Sequence, residues 1–414
     1  MKRQPVKSVP RKIAAPALVV ILATALGLVA GSDARAGQPN PLAATKPRYV
    51  VTILDSLGGT ISRANSLDDA GWASGYSFLA GNAQRRATLW RDGRPPLDLG
   101  ALGGPAANSS IVWPVKNNIG LLVGISQTAT PDPLGEAWSC SAFIATNGNT
   151  CLGFAWRNGT MRALPTLGGN NGFAAGANNL GQITGWAEND VHDGDCVPPQ
   201  QLQFRPVVWG PGPNAIRELP LYPGDTSGAA TGINDRGQAI GISGRCDQAV
   251  GRFSAIHALL WENGAATLLP DLGAGMWNTP MAINQRGDVV GFVAQPGDDP
   301  DNPRLRAFLW TRKGGFRNLG TLHLPEGPEH DYSEAHGINA AGQVVGVSCV
   351  SGSQPLTCRA FLWHQGVMSD LNALVAPSST VLINGQDIND RGEISGRALT
   401  STGARPAFVA KPRR

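Results

Sequence analysis

Charge is scarce in this 414-residue chain: Asp, Glu, Lys and Arg make up 15 % of it, and the two signs nearly balance. The small basic excess is confined to one end. Residues 1–36 hold six of the 34 Lys and Arg and one of the 30 Asp and Glu, so the remainder carries 28 positive and 29 negative side chains, a net of −1. A nucleic-acid partner needs a basic footprint on the folded domain, and that balance excludes it. Cysteine is also sparse, with six residues, all beyond position 36. No Cys-x-x-Cys or mixed Cys/His group has zinc spacing. No 3.6-residue hydrophobic period runs through the chain, which excludes a helical solenoid. Nor does any long apolar run follow residue 30, so no membrane span is expected in the rest of the chain.

The amino terminus is different. Lys2, Arg3, Lys7, Arg11 and Lys12 precede an apolar run from Ile13 to Ala30, and Ala34-Arg35-Ala36 follows. A basic segment, an apolar segment and an Ala-x-Ala site read as a secretory signal peptide over residues 1–36. The run approaches the length of an anchor helix, but Pro16, the many alanines and the Ala-x-Ala site favour cleavage. A polar linker (37–47) and a single domain (48–414) then follow. The expected product is exported, periplasmic or extracellular, and monomeric. An even cysteine count in such a compartment reads as disulfides.

Glycine is plentiful, and it recurs in register. The segments SLDDAGWASGYS, KNNIGLLVGIS, ANNLGQITGWA, INDRGQAIGIS, INQRGDVVGFV, INAAGQVVGVS and INDRGEISGRA are seven copies of one unit. Asp68, Asn117, Asn178, Asn234, Asn284, Asn339 and Asn389 fill the first slot, with a Gly three residues on and a second Gly four further. Asn or Asp opens a turn by bonding its own backbone, and Gly supplies a positive φ to close it, so each copy is a β-hairpin. A second hairpin begins with RATLW, GFAW, RPVVW, HALLW, RAFLW, RAFLW or RPAFV and ends in a leucine-rich LGG-type linker. From Asp68 to Asn389 is 321 residues in six steps, a period near 53.

Four-stranded units of about that length build β-propellers. The seventh copy supplies only three strands before Arg414, and Tyr49–Leu57 has the character of the missing fourth. The expected fold is therefore all-β: a seven-bladed β-propeller of four-stranded antiparallel blades, closed by an N-terminal strand that completes the last blade and removes the open edge.

The alternation of GIN-x-x-GQVVG with HAFLW-type strands and LG-x-LGG linkers resembles the HAF-repeat family of probable extracellular bacterial proteins. His257–Trp261 and Arg306–Trp310 lie closest to its namesake strand. The resemblance covers essentially the whole chain after the leader and implies export in bacteria, without an activity or catalytic residues to transfer. Asp68 for Asn, Gly153 for His or Arg, and Val409 for Trp depart from the pattern.

Candidate sites fall on the inserts between hairpins: Gln127–Leu152, Glu188–Phe204, Ser243–Ser254, Gln295–Leu305 and Cys349–Thr357. All six cysteines lie in or beside them, which suggests Cys140–Cys151 and Cys349–Cys358 as local staples and Cys196–Cys246 as a bridge between blades three and four. Trp138 is the candidate for stacking on a sugar. Arg86, Arg205, His257, Arg306, Arg359 and Arg405 precede the HAFLW-type strand, and symmetry predicts a ring suited either to an anionic ligand or to bracing the blades. Glu188, Asp190, Asp193 and Asp195 are oxygen donors of the kind calcium takes, although no known loop spacing is matched; otherwise no cofactor is expected.

No nucleophile elbow, His-Glu-x-x-His run or Ser-x-Asp-x-Gly-x-x-Trp box is present. The leading expectation is a non-enzymatic binding or scaffolding protein for a glycan or an envelope or extracellular protein. The alternative is a secreted hydrolase or lyase with its site at the propeller mouth, assisted by a metal on the acidic loops.

Overall fold

The computed structural model describes residues 48–136, 141, 143–145, 147–212, 214–247, 251–299, 303–325, 331–350 and 357–413. The proposed leader and linker, Trp138 and Cys140 lie outside them.

Seven separate four-stranded antiparallel sheets form the blades of a propeller. Within each of the first six, the strands follow one another across the sheet in chain order. Blade one, for example, is Gly58–Leu67, Ala73–Leu79, Arg85–Trp90 and Leu97–Asp98. In blade seven, Val381–Ile388, Ile394–Leu399 and Ala407–Pro412 are completed by Tyr49–Ile53 from the other end of the chain. That strand pairs Tyr49 with Pro412 and Ile53 with Phe408, so the ring closes as the strand count requires. It is shorter than the Tyr49–Leu57 stretch. Beyond Ile53 the chain leaves the sheet and holds the seventh blade again, through Leu54 N to the Ala407 carbonyl (2.9 Å) and Arg405 N to that of Thr60 (2.9 Å).

The two glycines of the repeat do different work. The first takes positive φ in every copy, from 69° at Gly120 to 86° at Gly71 and Gly287. The second does not, and its reason is steric. A Cβ on Gly75, Gly124, Gly185, Gly241, Gly291, Gly346 or Gly396 would sit 1.9–2.1 Å from a carbonyl oxygen of the neighbouring first strand. In six blades that strand carries a bulge just there, such as Ala174/Gly176 or Ala335/Gly337. The bulge presses backbone onto backbone, and only Gly fits beneath it.

The repeated Trp residues pack between blades, as strand-end aromatics should. Trp209 and Trp261 are each 2 % exposed. Their indole N–H groups donate to the Pro165 and Pro220 carbonyls (2.8 and 2.7 Å), and that of Trp90 to the Asp55 carbonyl (2.7 Å). Each indole thus ties its strand to the linker that leads into the same blade.

Blade two is the irregular one. Its first strand is reduced to Ser109–Ser110: the next backbone N–H, that of Ile111, turns to the Gly75 carbonyl of blade one (3.3 Å) instead of extending the ladder. Several expected inserts are shorter than anticipated, since the strands run into them. Ile183–His192 takes in Glu188, Leu122–Pro131 takes in Gln127, and Val344–Val350 takes in Cys349. Two expected disulfides form: Cys196–Cys246 joins blades three and four, and Cys349–Cys358 links directly opposed residues of adjacent strands. Cys151 is disulfide-bonded as well.

Candidate functional site

The hairpin turns between the first two strands of each blade ring one end of the channel. Their Asn is the hub. In Asn234, Oδ1 accepts from the backbone N–H of Arg236 (3.0 Å) and Gln238 (3.1 Å), while Nδ2 donates to Gln238 Oε1 (2.7 Å) and to the Asn284 carbonyl in the next blade (3.0 Å). The same donation runs Asn178 to Asn234, Asn284 to Asn339, Asn339 to Asn389 and Asn389 to Asp68. A second circuit runs outside it: Asp69, Asn118 and Asn179 each accept a backbone N–H through Oδ1. The depression they line holds about 170 Å³. Most of its polar groups are committed to holding the ring. Beneath it the carboxylate of Asp387, buried and raised in pKa by that burial, is held by Lys116 and by the backbone N–H of Leu67 (2.9 Å).

The repeated Arg and His residues do not present free charge to a common ligand. Arg86 is 3 % exposed; it donates to the Pro105 and Ala107 carbonyls of the linker into blade two and lies 3.6 Å from Asp98. Arg205 grips Glu218 (2.6 Å) and the Thr226 carbonyl (2.9 Å). His257 meets Asp225 (2.8 Å) and stacks on Tyr222. Arg306 donates to the Asp331 carbonyl (2.6 Å), and burial lowers its pKa. Arg359 reaches the Cys358 carbonyl (3.0 Å) and, at 4.0 Å, Asp370. Arg405 is exposed and pairs through its backbone. For most of the set the bracing alternative describes the contacts: an acidic residue on the outer strand, a carbonyl of the next blade, or both.

Nor do the four proposed calcium ligands converge. Glu188 is fully buried. Its Oε2 accepts from the backbone of Asn170 (3.1 Å) and Asn171 (2.8 Å), and its Oε1 from Gln200 (3.1 Å). Burial, aided by the charge of Glu136, nevertheless pushes its pKa up to about 8. Glu136 itself accepts from Gln201 N and Leu202 N (2.7 and 2.6 Å). Asp190 and Asp195 are exposed, while Asp193 caps its own turn at Asp195 N (2.9 Å). Among the described residues, the one compact group of potential metal ligands is Asp193 with Cys196 and Cys246. The two cysteines bond each other, which removes the thiolates a metal would need.

A different site emerges from following one register position around the ring, the residue after the second Gly and its partner on the first strand. In blades two to five these pairs are Ser110/Ile125, Phe173/Trp186, Ala229/Ile242 and Thr279/Phe292. All but Ser110 and Thr279 join an apolar cluster that crosses between blades, where the Trp113 indole points at Met281 Sδ (2.9 Å) and packs on Phe173 (4.9 Å between centroids). In blades six, seven and one the pairs are Glu334/Val347, Asn384/Arg397 and Arg63/Tyr76. Here one side of the channel turns polar.

Three guanidinium groups meet there at one phenol. Arg85 lies over the Tyr76 ring at 4.6 Å and Arg63 at 5.5 Å, while Arg397 Nη1 is 3.4 Å from the phenol oxygen. Among the described residues, no carboxylate lies within ion-pair distance of any of the three. The Nε of each is buried without an acceptor, a cost of about 1–3 kcal/mol per donor. Arg85 donates to the Phe143 carbonyl in the insert of blade two, which places the cluster toward the loop-bearing end. Burial alone would raise the Tyr76 pKa, but Arg63, Arg397 and Arg85 together draw it below its ordinary value. Burial lowers those of Arg85 and Arg397, and mutual repulsion adds to it. Beside them, buried His336 bonds Glu334 (3.1 Å) and the Gly385 carbonyl (3.2 Å). The sequence did carry a signal: Arg397 stands where the other six copies have Tyr, Ile, Trp, Ile, Phe and Val.

No family model matches this chain, and no curated protein matches it. Solved structures similar to it include a gluconolactonase from Xanthomonas campestris, at 13 % identity over 51 % of this chain and 72 % of that one, with a TM-score of 0.27. A Porphyromonas gingivalis dipeptidyl peptidase 4 is 10 % identical over 81 % of this chain, with a TM-score of 0.37, and this chain spans half of its length. A mutant of AofleA from Arthrobotrys oligospora is 9 % identical over 78 % of this chain and 89 % of that one, with a TM-score of 0.31. At such distances these likenesses say nothing of activity.

Proposed function

We propose that this protein is an exported β-propeller binding protein that takes its ligand at the loop-bearing end, in the polar sector of blades six, seven and one. One observation carries the reading. The pair at this register is uncharged in four consecutive blades and contains one charged residue in each of the next three, Glu334, Arg397 and Arg63. Half of the ring is thus a packed plug, and the other half presents Arg63, Tyr76, Arg85, Glu334 and Arg397. Core packing gains nothing from converging like charges, so ligand recognition is the better account. Disulfides in the chain and the basic, apolar leader sequence support export. Among the described residues, no helix is long and apolar enough to cross a membrane. The seven repeat copies support membership of the HAF-repeat family.

The test is thermal unfolding of the oxidised protein against a panel of neutral glycans, acidic glycans and extracellular proteins. A ligand at a hundred times its Kd stabilises by about 2.7 kcal/mol. The reading expects a shift that His336→Gln or Asn384→Leu diminishes. A shift that both variants keep in full would move the site elsewhere.

The alternative of a secreted lyase has one specific observation in its favour, the phenol of Tyr76 held among guanidinium groups. A base of lowered pKa suits removal of the proton beside a carboxylate that arginines neutralise. Incubation with a polyuronate, followed by ultraviolet absorbance of the unsaturated product, tests it. Product formed by the parent protein and lost in Tyr76→Phe would establish the lyase.

A further inference from the structure

The geometry points to a dedicated oxyanion subsite in that sector: Arg63, Arg85 and Arg397 together hold a carboxylate, sulfate or phosphate group, with Tyr76 as an additional hydrogen-bond donor. This rests on the reading of the sector as the ligand site and names the chemistry that the site selects. Elsewhere in the chain, most repeated arginines have spent their charge on a carboxylate or on carbonyls of the next blade. None of these three has a carboxylate partner among the described residues. The Arg63 side chain makes no hydrogen bond among the described residues, and its specific contact is the Tyr76 ring. Arg397 reaches the phenol oxygen, and Arg85 the Phe143 carbonyl and Tyr76, all of them uncharged acceptors or ring faces. The three come from different strands of two blades, on either side of the point where the ring is closed, so no local turn or cap explains them. Guanidinium groups partly withdrawn from water, with donors to spare, form a fork that matches a planar or tetrahedral oxyanion. The ordinary alternative, that they cement blades one and seven together, fails on sign: three like charges repel, and an oxyanion is the missing counter-charge.

The experiment is calorimetric titration of the oxidised protein with sulfate, inorganic phosphate and glucuronate, using glucose and chloride at matched ionic strength as references. The proposal expects saturable binding of at least one oxyanion and none of glucose. Arg63→Gln and Arg397→Gln should each weaken that binding by about tenfold. Each should also raise the melting temperature of the unliganded protein, because like charges are removed. A purely structural arginine gives the opposite, a lower melting temperature. Stronger binding of glucuronate than of sulfate or phosphate assigns the subsite to an acidic sugar; the reverse order assigns it to an ester. Oxyanions that bind no better than chloride, or variants that bind as the parent does, overturn the subsite. If neutral glycans or proteins still shift unfolding in a manner sensitive to His336→Gln, the binding function stands without it.

Discussion

The side chain of Asn389 donates from Nδ2 to the backbone carbonyl of Asp68, 2.9 Å away in space and 321 residues away in sequence. It is the last step of a chain of identical donations that begins at Asn178. At Asp68 the chain stops, because a carboxylate has no proton to give to blade two. Two outward links are absent: that of Asp68, which has no donor, and that of Asn117, whose Nδ2 donates instead to the Leu121 carbonyl of its own turn (2.8 Å).

That relationship sets opposite expectations for two substitutions. Asn389→Asp removes only the donor and should destabilise by about 1–2 kcal/mol in denaturant unfolding. Asp68→Asn supplies the missing donor at a residue whose pKa burial already raises, and should stabilise by about 1 kcal/mol. If Asp68→Asn is destabilising, the ring of donations is not what favours Asn.

The second glycine of each repeat gives a steric prediction. A Cβ on Gly346 would meet the Glu334 carbonyl oxygen at 1.9 Å and the Phe361 ring at 2.7 Å. Gly346→Ala should therefore cost more than about 4 kcal/mol. On Gly194 a Cβ meets nothing within 4 Å, so Gly194→Ala should stay within about 1 kcal/mol of the parent. Equal effects in urea unfolding would contradict the close approach of the two strands.

Glu188 predicts a pH dependence. Its pKa in the folded protein, about 8, exceeds the ordinary carboxylate value, so the folded state binds more protons than the unfolded state between the two. The stability it contributes is fully present below the unfolded value and is lost as pH rises through about 8, with a slope near 1.4 kcal/mol per pH unit. Glu188→Gln should flatten stability against pH between 5 and 8, relative to the parent. Parallel curves would show that Glu188 is ionised throughout.

The blade count, the strand order and the N-terminal closure were legible because seven copies align, and Asn, Gly and Trp recur wherever backbone geometry allows nothing else. Cys196–Cys246 and Cys349–Cys358 followed from the inserts on which they lie. Of the polar sector only Arg397, at a slot the other copies fill with Tyr, Ile, Trp, Phe or Val, left a mark in the sequence. The sector sits on a position that varies from copy to copy, and its members come together only through registers such as Arg63 with Tyr76 and Asn384 with Arg397. For the Arg86 and Arg205 series the sequence left a ligand ring open beside bracing, because the partners that brace them, Asp98 and Glu218, lie on outer strands too short to stand out. Glu188 appeared to belong to an acidic loop because the strand extends further than its pattern of side chains suggests, carrying that residue inward and Asp190 outward.

The central claim is that Arg63, Arg85 and Arg397 have no carboxylate partner among the described residues, and Tyr76 reports on it directly. The chain has four tyrosines. Burial raises the pKa of Tyr49 and, with Glu334, pushes Tyr332 up to about 12, whereas the arginines draw Tyr76 down. Spectrophotometric titration of the parent against Tyr76→Phe isolates this phenol. The account predicts that it ionises below the ordinary tyrosine value of about 10, and that Arg397→Gln moves it upward. A Tyr76 that ionises at or above that value, unmoved by loss of Arg397, would contradict the account.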